Sequence, residues 1–124
     1  MEVYFLKIDY DQNRPIYLQI IERIKYMIVH GEIAPGERLL SMNDMAVEMD
    51  VNPNTMFRVY RELENEGVTF SQRGLGSFVV KDPDIVKHLS EEMAEEILTK
   101  AITDLKNLEF SNEQIIAHVT KKLN

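Results

Sequence analysis

Residues 41–67, SMNDMAVEMDVNPNTMFRVYRELENEG, constrain the fold more than any other stretch of the chain. They carry two helix starts close together. Ser41 can cap a helix, with Asp44 three residues on completing a capping-box pattern. Asn52 can cap the next one, with Pro53 at its first position, where the missing N–H costs nothing. The first helix must therefore stop near Met49, and only the brief turn DVN separates the two. Met45, Ala46 and Met49 give the first a small apolar face. Met56, Val59, Tyr60 and Leu63 give the second a full stripe at helical spacing, and Gly67 ends it. Two short helices at such a tight turn form a helix-turn-helix.

The flanks extend this unit. Upstream, NRPIYLQIIERIKYMIVHG reads as a strong helix, with Pro15 in its first turn, Ile16/Tyr17, Ile20/Ile21, Ile24 and Met27/Ile28 recurring at helical spacing, and Gly31 at its end. EIAPGERLL follows with Pro35-Gly36 as a turn, and residues 3–10 read as a short strand or extended arm. Downstream, VTFSQ, RGLG and SFVV read as strand, turn and strand. Gly74-Leu75-Gly76 invites comparison with a phosphate-cradling loop, but such a loop follows a strand and opens a helix. Here a strand follows, so the glycines belong to a hairpin tip. A hairpin after a helix-turn-helix makes a winged helix.

The second helix of the motif has a distinctive outer face. Asn54, Arg58, Arg61 and Asn65, opposite the apolar stripe, hold amides and guanidiniums and no acid. An ordinary solvated face mixes both signs. Asn pairs bidentately with adenine and Arg with guanine, and the N-terminal part of such a helix is the part that enters a major groove. Arg73 at the hairpin tip can meet a phosphate or a narrow minor groove, where Gly74 and Gly76 remove obstructing side chains.

Past Lys81-Asp82-Pro83-Asp84 the pattern changes. A long amphipathic helix carries Ile85, Leu89, Met93, Ile97, Ala101 and Leu105 along a stripe. A shorter one, capped by Ser111, is expected to turn Ile115, Ile116, Val119 and Leu123 inward. These observations predict a mostly α chain with a small β wing. A winged helix-turn-helix domain over 1–82 precedes a two-helix dimerisation region over 83–124.

Composition bounds the function. The chain has no cysteine, so thiolate metal sites, disulfides and a cysteine nucleophile are excluded. His30, His88 and His118 stand at no metal-ligand spacing, and no cofactor loop or catalytic constellation is present. Neither a signal peptide nor a membrane-length apolar run is visible, which suits a cytoplasmic protein. The net charge is −7 over 124 residues. Any DNA surface must then be a local cationic patch on an acidic body.

PIYLQI (15–20), GEIAPGERLLS (31–41), NPNTMFRVYRELENEG (53–67) and RGLGSFVV (73–80) together resemble the DNA-binding domain of the GntR family of bacterial transcription regulators. The short two-helix tail resembles that of the YtrA subfamily, whose C-terminal region is too small for the usual effector domain and serves dimerisation. The resemblance implies a homodimer, most often a repressor, on a palindromic double-stranded DNA operator. It implies DNA contacts at Ser41, Asn54, Thr55, Arg58, Arg73, Gly74 and Gly76, to which the outer stripe adds Arg61. Two departures stand out: the family's Leu-Pro-Ser is here Leu39-Leu40-Ser41, and its arginine two residues after that serine is Asn43, which can hydrogen-bond DNA but cannot neutralise a phosphate. A small-molecule effector is not readable from the sequence. The rival reading is a winged-helix protein-interaction module without specific DNA binding.

Overall fold

In the computed structural model, which describes residues 9–124, the elements run α1 (Ile16–Val29), α2 (Met42–Met49), α3 (Pro53–Asn65), β1 (Thr69–Gln72), β2 (Gly76–Val79), α4 (Ile85–Asn107) and α5 (Asn112–Leu123). The mostly helical chain with a small β wing is thus as the sequence implies. The strand or arm expected at 3–10 lies outside the described residues except for Asp9 and Tyr10, which are not in a strand.

The helix boundaries follow from local chemistry. Pro15 precedes α1 as its cap residue and offers no side-chain hydrogen bond. Gln19 compensates. Its buried amide donates to the carbonyls of Asp11 (2.8 Å) and Arg14 (3.0 Å), and its oxygen accepts from the Asp11 N–H. One side chain thereby fastens the entering strand of backbone to the helix with every bond it makes satisfied. At the other end Gly31, at φ +80°, returns its N–H to Ile28 while Glu32 reaches Met27. Gly67 ends α3 in the same way, through Gly67 to Glu64 and Val68 to Leu63. Asp50, at φ 55°, does the same for α2. An aspartate can hold this left-handed conformation at modest cost.

The two starts within the helix-turn-helix are capped as expected, with one exception. Ser41 Oγ accepts from the Asp44 N–H at 3.1 Å, and Asn52 Oδ1 accepts from the Asn54 N–H at 2.7 Å. Among the described residues the Asp44 carboxylate makes no return bond to Ser41, so the box is half closed. An aspartate is one methylene shorter than the glutamate that usually closes it. Both halves of a box are present at Ser111 and Gln114, which start α5.

The core around the helix-turn-helix lies under α3. Met56, Val59 and Leu63 have no exposed surface, and Ile20, Ile24, Ile28, Ile33 and Met45 are equally sealed. The Tyr60 hydroxyl donates to the Leu40 carbonyl and ties α3 to the segment before α2. β1 and β2 pair antiparallel with Thr69 opposite Val79 and Gln72 opposite Gly76. The 37–39 segment lies along the other edge of β2, with Leu39 N–H to Ser77 O (2.8 Å) and Val79 N–H to Glu37 O (2.9 Å). β2 is therefore paired along both of its edges, by β1 and by this segment.

The chain divides into two compact units, one ending at Lys87 and the other spanning His88–Asn124. In the second, α4 and α5 are joined by a tight turn in which Glu109 takes φ 67°. Here one expectation is corrected. Of the four residues expected to face inward on α5, only Ile115 is buried, whereas Ile116 is 65%, Val119 45% and Leu123 82% exposed. Two helices bury a narrow seam between them and leave the rest of each apolar stripe at the surface.

Replacing Asn52 by Ala removes the α3 cap and is expected to lower stability by about 1 kcal/mol, while Asn52→Ser retains most of it. Urea denaturation of both variants measures this. Equal stability of the alanine variant would mean that Pro53 alone holds the start of α3.

Candidate nucleic-acid interface

Because Met56, Val59, Tyr60 and Leu63 face the core, the residues about half a turn away must face solvent. Asn54, Arg58, Arg61 and Asn65 are all exposed. Two carboxylates at the C-terminal end of the helix are drawn elsewhere. Glu64 Oε1 accepts from the Ser71 N–H of β1 at 2.7 Å, and Glu66 pairs with Lys25 of α1 at 2.6 Å. The outer stripe thus keeps its cationic character. Among the described residues Arg38, Arg58, Arg61 and Arg73 form no ion pair.

Two concavities flank the outward face of α3. The first, about 340 Å³, is lined by Ile16, Tyr17, Asn54, Thr55 and Arg58. In it the Arg58 guanidinium lies 3.6 Å above the centre of the Tyr17 ring. The ring restricts the arginine while leaving its N–H fork exposed, an arrangement worth about 0.5–1 kcal/mol at an exposed site. The second, about 250 Å³, lies between α3 and the wing and is lined by Met42, Phe57, Tyr60, Arg61, Glu64, Ser71 and Ser77.

The remaining residues singled out in the sequence lie around these. Ser41 and Asn43 sit at the exposed start of α2, with the Ser41 oxygen accepting the capping bond. Arg73-Gly74-Leu75 forms the wing tip, closed by a Leu75 N–H to Gln72 O bond of 2.9 Å. Gly74, at φ +78°, occupies the turn position that needs a left-handed residue. Gly76 is also left-handed, at φ +110°, and a Cβ there would lie 3.2 Å from Arg38 Nε. Its first role is conformational, and a substitution there damages the hairpin itself.

Of the residues read as a dimerisation stripe, Ile85 and Leu89 are buried within the chain (7% and 2% exposed). Met93 and Leu105 are half-buried, and Ile97 and Ala101 are exposed.

Tyr17, Arg38 and Phe57 were not singled out in the sequence. Tyr17 read as one more apolar position of α1. Arg38 comes from a loop whose pairing with β2 is long-range. Phe57 stands between two recognised stripes. Only the last carried a local signal, as an aromatic residue off the core face of its helix.

This constellation defines a winged helix-turn-helix of the kind that binds DNA. Residues 16–79 match the bacterial regulatory proteins of the gntR family, and the chain belongs to that family of DNA-binding transcription regulators. It is 36% identical over 107 residues to the HTH-type transcriptional regulator YhcF of Bacillus subtilis, covering 86% of this chain and 88% of that one. It is 38% identical over 74 residues to the HTH-type transcriptional repressor YtrA of the same organism, covering 60% and 57% of the two chains. Among solved structures, a GntR family transcriptional regulator from Listeria monocytogenes superposes with a TM-score of 0.80 at 34% identity, over 90% of this chain and 98% of that one. The AraR DNA-binding domain in complex with operator ORE1 superposes with a TM-score of 0.53 at 27% identity, over 64% and 99% of the two chains. Among the described residues no helix is long and apolar enough to cross a membrane.

The Tyr17 stack has a direct spectroscopic consequence. The Arg58 side-chain N–H should resonate upfield under the ring current in wild type and Tyr17→Phe, and move to a solvent-like position in Tyr17→Leu. An unchanged Arg58 resonance in Tyr17→Leu would show that the ring does not hold the guanidinium.

Proposed function

We propose that this chain is a homodimeric repressor that reads a palindromic operator with the outward face of α3. The observation that carries the reading is the acid-free row of Asn54, Arg58, Arg61 and Asn65. It is exposed on a helix whose Glu64 and Glu66 are engaged with β1 and α1. Arg58 and Asn54, near the helix N-terminus, would meet base edges, with Thr55 and Arg61 beside them. Arg73 at the wing tip and Ser41 and Asn43 at the start of α2 would meet backbone phosphates. Gly74 and Gly76 would shape the tip that approaches the DNA. The repressor of Bacillus subtilis among the relatives supports the sign of regulation.

Domain organisation is read in the same way. The winged helix, 1–82, binds DNA, and the helical region, 83–124, joins two copies. Ile97, Leu98, Leu108, Ile116 and Val119 leave the second unit with an apolar surface that a second copy would cover. A C2 pair places two α3 helices on two half-sites of inverted sequence. Ile85 and Leu89 then contribute inside each chain rather than between chains.

Selection of bound fragments from the source genome with the purified protein would return the operator. On that operator Arg58→Ala is expected to cost roughly 1–3 kcal/mol and to flatten preference at one base position per half-site. Uniform weakening on all sequences would reassign Arg58 to a phosphate.

The dimer is tested separately. Sedimentation should find the full chain dimeric at micromolar concentration and the Ile97→Asp/Ile116→Asp variant monomeric with unchanged helix content, since both side chains are already exposed within one chain. A monomeric wild type would contradict the proposed assembly.

A further inference from the structure

Phe57 is 55% exposed, the most exposed of the phenylalanines and tyrosines among the described residues. The core does not use it, because Met56, Val59, Tyr60 and Leu63 already complete the buried face of α3. It lies in the N-terminal half of that helix, on the wing side of the Asn54–Arg61 row. There it forms an apolar wall with Met42, itself 38% exposed. Both line the 250 Å³ concavity beside the wing. The Arg61 guanidinium stands over the Phe57 ring at 5.8 Å and brings positive charge to the rim. The one carboxylate in the lining, Glu64, is held by the Ser71 N–H.

A phenyl ring has no hydrogen bond to offer a base edge. The apolar group that a major groove presents is the C5-methyl of thymine. A polar, cationic row would bring DNA to this face, and the ring stands beside that row with an open concavity next to it. We propose that Phe57, backed by Met42, is a specificity-determining residue that receives the methyl group of one thymine in each half-site. Arg61 sits at the rim of that contact, its guanidinium 5.8 Å from the ring centre. This inference rests on the reading of α3 as the DNA-reading helix. It adds a contact that selects by shape and apolarity rather than by hydrogen bonding. Thymine is thereby separated from cytosine, and also from uracil, which differs from it by that methyl alone.

The test uses the full-length protein and a pool of random DNA duplexes. Wild type should enrich a motif with an invariant thymine in each half-site. Duplexes of that motif with the thymine replaced by deoxyuridine, which keeps every hydrogen bond, should bind wild type about fourfold more weakly per half-site, the equivalent of one buried methylene. Phe57→Ala should bind the thymine and uracil duplexes equally. Phe57→Leu should keep part of the difference, and both variants should melt like wild type because the side chain is exposed. Enrichment of a motif in which no thymine-to-uracil exchange alters wild-type affinity would overturn the Phe57 assignment and leave DNA recognition by α3 standing. A thymine-to-uracil loss that persists in Phe57→Ala would overturn it as well. Failure to enrich any motif would remove both this inference and the operator reading beneath it.

Discussion

Met56, Val59 and Leu63 have no exposed surface, and with Tyr60 they set the rotation of α3 about its own axis. A helix turns by about 100° per residue, so a rotation by one position would bury Phe57 or Arg58 and expose Met56. Burying an unpaired guanidinium costs several kcal/mol, and exposing a core methionine loses a further 2 kcal/mol or so. The rotation is therefore firmly held. The surface row follows from it, since whichever residues stand opposite the core stripe must face outward. What the helix shows to solvent is decided by what it buries.

The same packing explains how an acidic chain keeps a cationic face. The net charge is −7, and α3 with its C-cap carries Glu62, Glu64 and Glu66. The carboxylates of the last two lie on the flanks of the helix and meet a β1 N–H and a lysine of α1. Each contact is modest in energy, because both carboxylates are solvent-exposed. Their value is positional: they take negative charge away from the row that holds Arg58 and Arg61. The wing gains a further arginine the same way. Pairing of residues 37–39 with β2 sets Arg38 against Gly76, where the absence of a Cβ leaves room for the guanidinium.

Most of the fold was legible because its signals are local. Ser41, Asn52 and Ser111 as caps, Gly31 and Gly67 as helix ends, and the apolar stripe of α3 all act within four residues of themselves. The family, too, was legible from four short motifs. Long-range features were harder. The Gln19 bonds to Asp11 and Arg14, the Tyr17–Arg58 stack and the approach of Arg38 to Gly76 depend on how elements meet. Periodicity on α1 marks Tyr17 as apolar without saying that an arginine lies on its ring. The inward reading of Ile116, Val119 and Leu123 failed for a related reason. An amphipathic stripe shows that a face must be covered, and does not say whether its own chain covers it.

The central claim is that the outward face of α3 and the wing tip meet DNA while the opposite faces hold the fold. Titration of the selected operator into isotopically labelled protein, followed by amide and arginine side-chain shifts, tests it most directly. The account predicts the largest changes at Asn54, Thr55, Phe57, Arg58 and Arg61 and at residues 73–76, with Met56, Val59 and Leu63 shifting little. Changes concentrated in α5 or on the outer face of α1, with α3 unmoved, would contradict it.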